Sequence, residues 1–254
     1  AKSIVNSFKK EVDAAYQKLK TTDSLAAAEI SLQQKDIKHL NKSSLAFTRN
    51  DQQIDSIVKN KILTALYGGS VNQVFWLDKK GDEKVNWTAA DENAPHGNYS
   101  NREYFKNIIH QNEYVPGNDP AAKYYLDQVI SWTSGIFTSL VSVKSALSTE
   151  GNEVVAALSF NVKSLDSVIL PAGYLFAVTD NQGKVLYHSD KSKNLTENLL
   201  QEFSANQQLG SYFQAKAPGV FSTDYFGKKY NVLVKPVAGL PYFILIFSDT
   251  TFKE

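Results

Sequence analysis

Two separate stretches of this chain repeat one order of elements, and that repeat limits the fold more than any other feature of the sequence. The first runs Val74-Phe75-Trp76-Leu77 into Asp78-Lys79-Lys80-Gly81-Asp82 and out through Lys84-Val85-Asn86-Trp87. The second runs through residues 174–179 into Asp180-Asn181-Gln182-Gly183 and out through residues 184–188. Each reads as apolar strand, polar turn with an acid and a glycine, and strand again, which is a hairpin signal. Each is followed by a short helical stretch, residues 101–109 in the first copy and 195–203 in the second. More strands follow, over 136–143 and 154–162, then over 219–224, 229–237 and 242–247. Residues 90–100 and 111–120, with Pro95, Gly97, Pro116, Gly117 and Pro120, read as loops. Helix first, then two antiparallel αβ units, is an α+β architecture.

Ahead of the repeat, Ile4, Phe8, Val12, Ala15, Tyr16 and Leu19 recur at three- and four-residue steps and make one apolar stripe of a helix. Thr21-Thr22-Asp23-Ser24 reads as a break or a fresh N-cap, after which residues 26–34 resume helical composition. A second helix is expected over 51–66, with Ile54, Ile57, Val58, Ile62 and Leu66 inward and Gly68-Gly69 ending it.

Composition serves mainly to exclude. A net charge of +1 is not the clustered basic excess that phosphate binding needs, so no nucleic-acid partner is expected. With no cysteine there is neither a disulfide framework nor a thiolate metal site. His39, His96, His110 and His188 are dispersed, so no metal is expected either. No Ser-nucleophile elbow, P-loop or dinucleotide fingerprint is present, so no catalytic residues and no cofactor are assigned and the chain is not read as an enzyme. No apolar run reaches membrane-spanning length. The absence of methionine, even at position 1, reads as a processed or excised piece of a longer protein.

Only two of the 27 basic side chains are arginines, Arg49 and Arg102. Arg102 can present two parallel donors to a carboxylate. Tyr104 and Phe105 are neighbours about 100° apart on a helix, so one is expected to line a pocket and the other to pack in the core. Trp76, Trp87 and Trp132 are candidates for an aromatic wall, with Trp76 the one most suited to the core.

These residues carry a family resemblance. Asn101-Arg102-Glu103-Tyr104-Phe105 resembles the R-x-[WY]-[YF] motif of double Cache sensor domains, and it follows a strand, a D-x-x-G turn and a second strand as it does there. Ser131-Trp132-Thr133-Ser134-Gly135 resembles the family's Y-x-D-x-x-T-G turn. Residues 156–165 resemble its G-V-x-x-D-x-x-L strand, and residues 173–190 its D-x-x-G-x-x-x-x-H-P-D opening of a second module. The resemblance covers essentially the whole chain. It implies a long N-terminal helix over 1–40 and two PAS-like antiparallel-sheet modules in tandem. The membrane-distal, ligand-binding module spans 41–168 and the membrane-proximal module 169–254.

It further implies the extracytoplasmic sensing region of a histidine kinase or methyl-accepting chemoreceptor. Transmembrane helices would flank it, and the first helix would supply a homodimer contact. Ligand-binding positions would be Arg102, Tyr104, Phe105, Trp87, Trp132, Ser134 and Asn161. The late acidic residue of the amino-acid-binding subgroup is Asn161 here, and the middle-turn tyrosine and aspartate are Trp132 and Ser134. Without those carboxylates a buried ammonium lacks partners, so an organic anion is expected rather than a free amino acid. The alternative is a module without a small ligand that dimerises or reads a periplasmic protein.

Overall fold

The computed structural model describes residues 2–36, 71–88, 97–111, 115–116, 123–131, 135–147 and 154–252. The helix expected over 51–66 lies outside them. The chain divides into two compact units. Residues 11–162 form one; residues 1–10 join 163–254 in the other.

Helix α1, Lys2–Asp36, is 35 residues long. No described helix is long and apolar enough to cross a membrane. The break expected at residues 21–24 does not occur. Thr22 and Asp23 are buried instead. The Asp23 carboxylate accepts from Trp76 Nε1 at 2.9 Å, from the Ala146 backbone N–H at 2.7 Å and from the Ser145 hydroxyl. Side chains that favour caps when solvated are here used as a docking patch, and the tertiary bonds override the local preference.

The first module is an antiparallel sheet in the order β2-β1-β6-β5-β4-β3. Its strands are β1 Val71–Leu77, β2 Glu83–Thr88, β3 Val115–Pro116, β4 Lys123–Ile130, β5 Phe137–Lys144 and β6 Val155–Phe160. Helix α2, Glu103–His110, packs Tyr104, Phe105 and Ile108 on the face carrying Phe75, Val129, Leu140 and Ala157. The opposite face meets α1, through Trp76 on Asp23 and Tyr124 on Tyr16, whose rings are 4.7 Å apart. Strand β4 was not anticipated; its Tyr124, Leu126 and Gln128 alternate inward in a stretch that also carries Lys123 and Asp127.

In the second module, after the one-turn helix α3, Lys163–Asp166, the sheet order is β8-β7-β11-β10-β9. Its strands are β7 Tyr174–Asp180, β8 Val185–His188, β9 Gly219–Tyr225, β10 Lys228–Pro236 and β11 Tyr242–Asp249. The helix expected over 195–203 contracts to α4, Leu199–Glu202, because Leu195 sits at φ 61° and the Asn198 side chain caps Leu200. A further helix, α5 Asn206–Ala215, buries Leu209 and Phe213, and Phe213 stacks 4.4 Å from Phe243. Phe203, Phe221 and Phe247 complete an aromatic core. On the other face, Phe8 of α1 meets Tyr187 and Tyr242 at 6.2 and 6.4 Å.

The duplication extends to individual atoms. Asp78 Oδ1 accepts from the N–H groups of Lys80 and Asp82; Asp180 Oδ1 accepts from those of Gln182 and Lys184. Asn98 Nδ2 donates to Lys80 O and Asn198 Nδ2 to Gln182 O, both at 3.0 Å. Tyr99 N–H donates to Gly81 O and Leu199 N–H to Gly183 O. Each hairpin turn is thus clipped to the segment that leads into its helix.

Gly81 must be glycine twice over. Its φ is +81°, and a Cβ there would lie 2.5 Å from Ser100 N. Gly227, at φ +74°, has nothing within 4 Å of its Cβ position. Gly81→Ala is expected to destabilise by about 2 kcal/mol, against about 1 kcal/mol for Gly227→Ala. Urea unfolding of the two variants side by side tests this, and equal losses would mean the clip yields without strain.

Candidate functional site

A small, half-open cleft of roughly 30 Å³ lies on the α2 face of the first sheet. Strand alternation builds its floor. Gln73 and Phe75 of β1, Ser159 of β6, Thr138 and Leu140 of β5 and Val129 of β4 all project to that face, in the registers Gln73↔Ser159 and Val129↔Thr138. Ile130 and Ser131 form one rim. Tyr99, Arg102 and Tyr104 form the other, placed by the clip that ties Tyr99 to Gly81 and by the start of α2.

Arg102 is the N-cap residue of α2, in extended conformation. Its Nη2 donates to the Ile130 carbonyl at 3.1 Å, which draws the guanidinium across the cleft mouth. Phe75 contacts Tyr99 and Tyr104, with ring centroids 5.8 and 6.1 Å apart. Burial, chiefly, pushes both phenols up, so each remains a neutral hydroxyl at ordinary pH. Behind Tyr99 sits Glu83, buried and pushed up to about 7 by desolvation, against hydrogen bonds from Asn86 and Tyr99 that favour its anion. Among the described lining residues, Arg102 carries the only charge. The rest of the polar lining is neutral: two phenols, an amide and three hydroxyls. A guanidinium among neutral hydrogen-bonding groups in the lining suits a small anion.

Of the residues singled out from sequence, the structure brings Arg102 and Tyr104 together at this cleft. Phe105 packs in the core beneath α2 and does not line it. Asn161 stands one residue removed. Its amide pairs with Asn72, whose Nδ2 donates to Asn161 Oδ1 at 2.9 Å and to Thr138 Oγ1 at 3.0 Å, and Thr138 lines the cleft. Trp76 is on the opposite face, so it forms no part of an aromatic wall. Trp87 lies in β2 opposite Val74, and its side chain is outside what is described. Trp132 and Ser134 lie outside the described residues, between Ser131 and Gly135, which are described.

Tyr99, Gln73, Phe75, Thr138 and Ser159 were missed. Alternation along β1 and β5 was the signal for Gln73 with Phe75 and for Thr138 with Leu140. The Asn-x-Ser/Leu clip was the signal for Tyr99. Among the described residues no three His, Asp or Glu side chains group as metal ligands.

No protein-family model matches the sequence, and no curated protein matches it either. Solved structures do. The ligand-binding domain of the Pseudomonas aeruginosa PAO1 amino acid chemoreceptor PctB, in complex with L-Arg, aligns with a TM-score of 0.61. That alignment has 11% identity and covers 98% of this chain and 92% of that one. The ligand-binding domain of the Pseudomonas fluorescens chemoreceptor CtaA, in complex with L-alanine, gives 0.60 at 15% identity over 98% and 94%. The sensor domain of the V. cholerae histidine kinase DctB gives 0.58 at 13% identity over 99% and 96%. With its two clipped sheet modules behind one long helix, the chain has the double Cache fold of the sensor domains of bacterial histidine kinases and chemoreceptors.

Proposed function

We propose that this chain is the extracytoplasmic sensing region of a membrane-anchored histidine kinase or chemoreceptor, and that it binds a small organic anion in the first-module cleft. The observation that carries the reading is the cleft's charge pattern: one guanidinium, no carboxylate among the described lining residues, and neutral donors around it. PctB and CtaA are described with amino acids bound. An α-amino acid needs an acid for its ammonium. The position that is acidic in the amino-acid-binding subgroup is Asn161, engaged with Asn72. A carboxylate without an ammonium therefore fits better. Flanking transmembrane helices and pairing through α1 belong to the same reading. The alternative is a module without small ligand that dimerises or reads a protein partner. No catalytic activity is assigned to the chain.

A thermal-shift screen of organic acids, amino acids, amines, purines and sugars tests the proposal, with Arg102→Ala alongside. A ligand at about 100 times its Kd adds about 2.7 kcal/mol, a rise of about 5–10 °C at this size. The expected result is a carboxylate hit that Arg102→Ala abolishes. A hit that survives the substitution removes Arg102 as the anchor. A screen with no hit turns the weight to the protein-partner reading.

A further inference from the structure

We propose that the second module contains a primary-ammonium site built from Glu197, Tyr225 and Phe226, and that Lys193 fills it as an intramolecular ligand. This goes beyond the sensor reading and does not rest on it. The Glu197 carboxylate, only 8% exposed, accepts from Tyr225 Oη at 2.9 Å on both oxygens and from Lys193 Nζ at 3.1 Å. The same Nζ donates to Tyr225 Oη. It lies 3.8 Å from the centroid of the Phe226 ring and 4.3 Å from that of Tyr225. A buried carboxylate with two aromatic faces around one nitrogen is the chemistry of an ammonium box.

The neighbouring His188 adds a second observation. It is 4% exposed, its Nδ1 accepts from Asp190 N–H, and its Nε2 has no partner among the described residues. Burial first, and then the Lys193 charge, holds the imidazole neutral. The region therefore contains polar capacity that the fold does not use.

The cage is particular to this module. Glu197 precedes the clip residue Asn198, and the matching position before Asn98 is Gly97, which has no side chain. Lys193 reaches the site from a three-residue 3-10 turn, Lys191–Lys193, followed closely by Leu195 at φ 61°. The site has access to water, since Phe226 is 66% exposed. A tethered lysine acts at an effective concentration on the order of millimolar or above, so a free amine gains entry only when the tether is removed.

Lys193→Ala deletes a group equivalent to n-propylammonium, and that ion is the probe. At tens of millimolar, against equal sodium chloride, n-propylammonium is expected to raise the Tm of Lys193→Ala by about 3 °C. The wild type should move by less than about 1 °C, because its site is filled. The double variant Lys193→Ala/Glu197→Gln should not respond. Equal responses of single and double variants, or none in either, would overturn the proposal. If Lys193→Ala does not fold unaided, the same comparison is read as the yield of folded protein on refolding with and without the amine, and equal yields overturn it.

Discussion

Replacing Asp23 with alanine is expected to destabilise the first module by about 3–5 kcal/mol, with a fall in Tm of roughly 10 °C. The carboxylate is buried on α1 and serves three donors at once: the Trp76 indole, the Ser145 hydroxyl and the Ala146 backbone. Truncation strands the buried Trp76 and Ser145 donors and removes the bond to the Ala146 N–H, and a buried donor without a partner costs about 1–3 kcal/mol. Asp23→Asn keeps one acceptor oxygen and the volume, so its loss should be nearer 1–2 kcal/mol. Urea unfolding followed by circular dichroism and tryptophan fluorescence separates the two. Similar small losses for both would mean that α1 is held by its apolar stripe alone. The carboxylate joins α1 to β1 and to the turn after β5, so its loss would loosen the helix on the sheet that carries the cleft.

Asp23 also shows where reading from the sequence stops. The cluster Thr21-Thr22-Asp23-Ser24 has cap chemistry, and local reasoning makes it an end or a start. Its partners are 53 and more than 120 residues away in the chain, and no local window contains them. The apolar stripe of α1 was legible because its period is local: Phe8, Val12, Ala15, Tyr16 and Leu19 are all buried. The two hairpins were legible for the same reason, since turn acid and glycine sit within five residues of each other. Strand β4 was not, because Lys123, Asp127 and Gln128 dilute its alternation, and Gln128 faces inward as a polar residue bonded to Ser139. Helix α5 was hidden by Gly210 and by a buried face of only two residues.

The cleft was legible only on its helix side. The motif around Arg102 pointed to the rim, while the floor comes from four strands whose order in the sheet, β1-β6-β5-β4, is not their order in the chain. Gln73, Ser159 and Thr138 become neighbours through pairing, and pairing is a long-range property. The contrast between modules was equally invisible. Gly97 and Glu197 occupy matching places in the repeat, and only the position of Lys193 turns the second into a filled site.

Stability in acid and base should reveal Glu83 and His188 with opposite signs. Glu83 is buried beside Tyr99 and its carboxyl is pushed from 4.5 up to about 7. Between those values the folded chain keeps a proton that the unfolded chain has released, so stability falls as pH rises. Relative to Glu83→Gln, the wild type should lose about 3 kcal/mol between pH 4 and 8. His188 is depressed from 6.5 to about 4 by burial and by Lys193. There the unfolded chain binds the proton first, so stability falls as pH drops below 6.5 and is lost down to about 4. Relative to His188→Gln, the wild type should gain about 3 kcal/mol over the same rise in pH. The two slopes belong to different modules, and they nearly cancel in a wild-type chain that unfolds as one unit. A flat wild-type profile is therefore uninformative, and the variants carry the test. Urea midpoints at pH 4, 6 and 8 measure it. Parallel curves for wild type and Glu83→Gln would mean that the carboxyl does not titrate in this range.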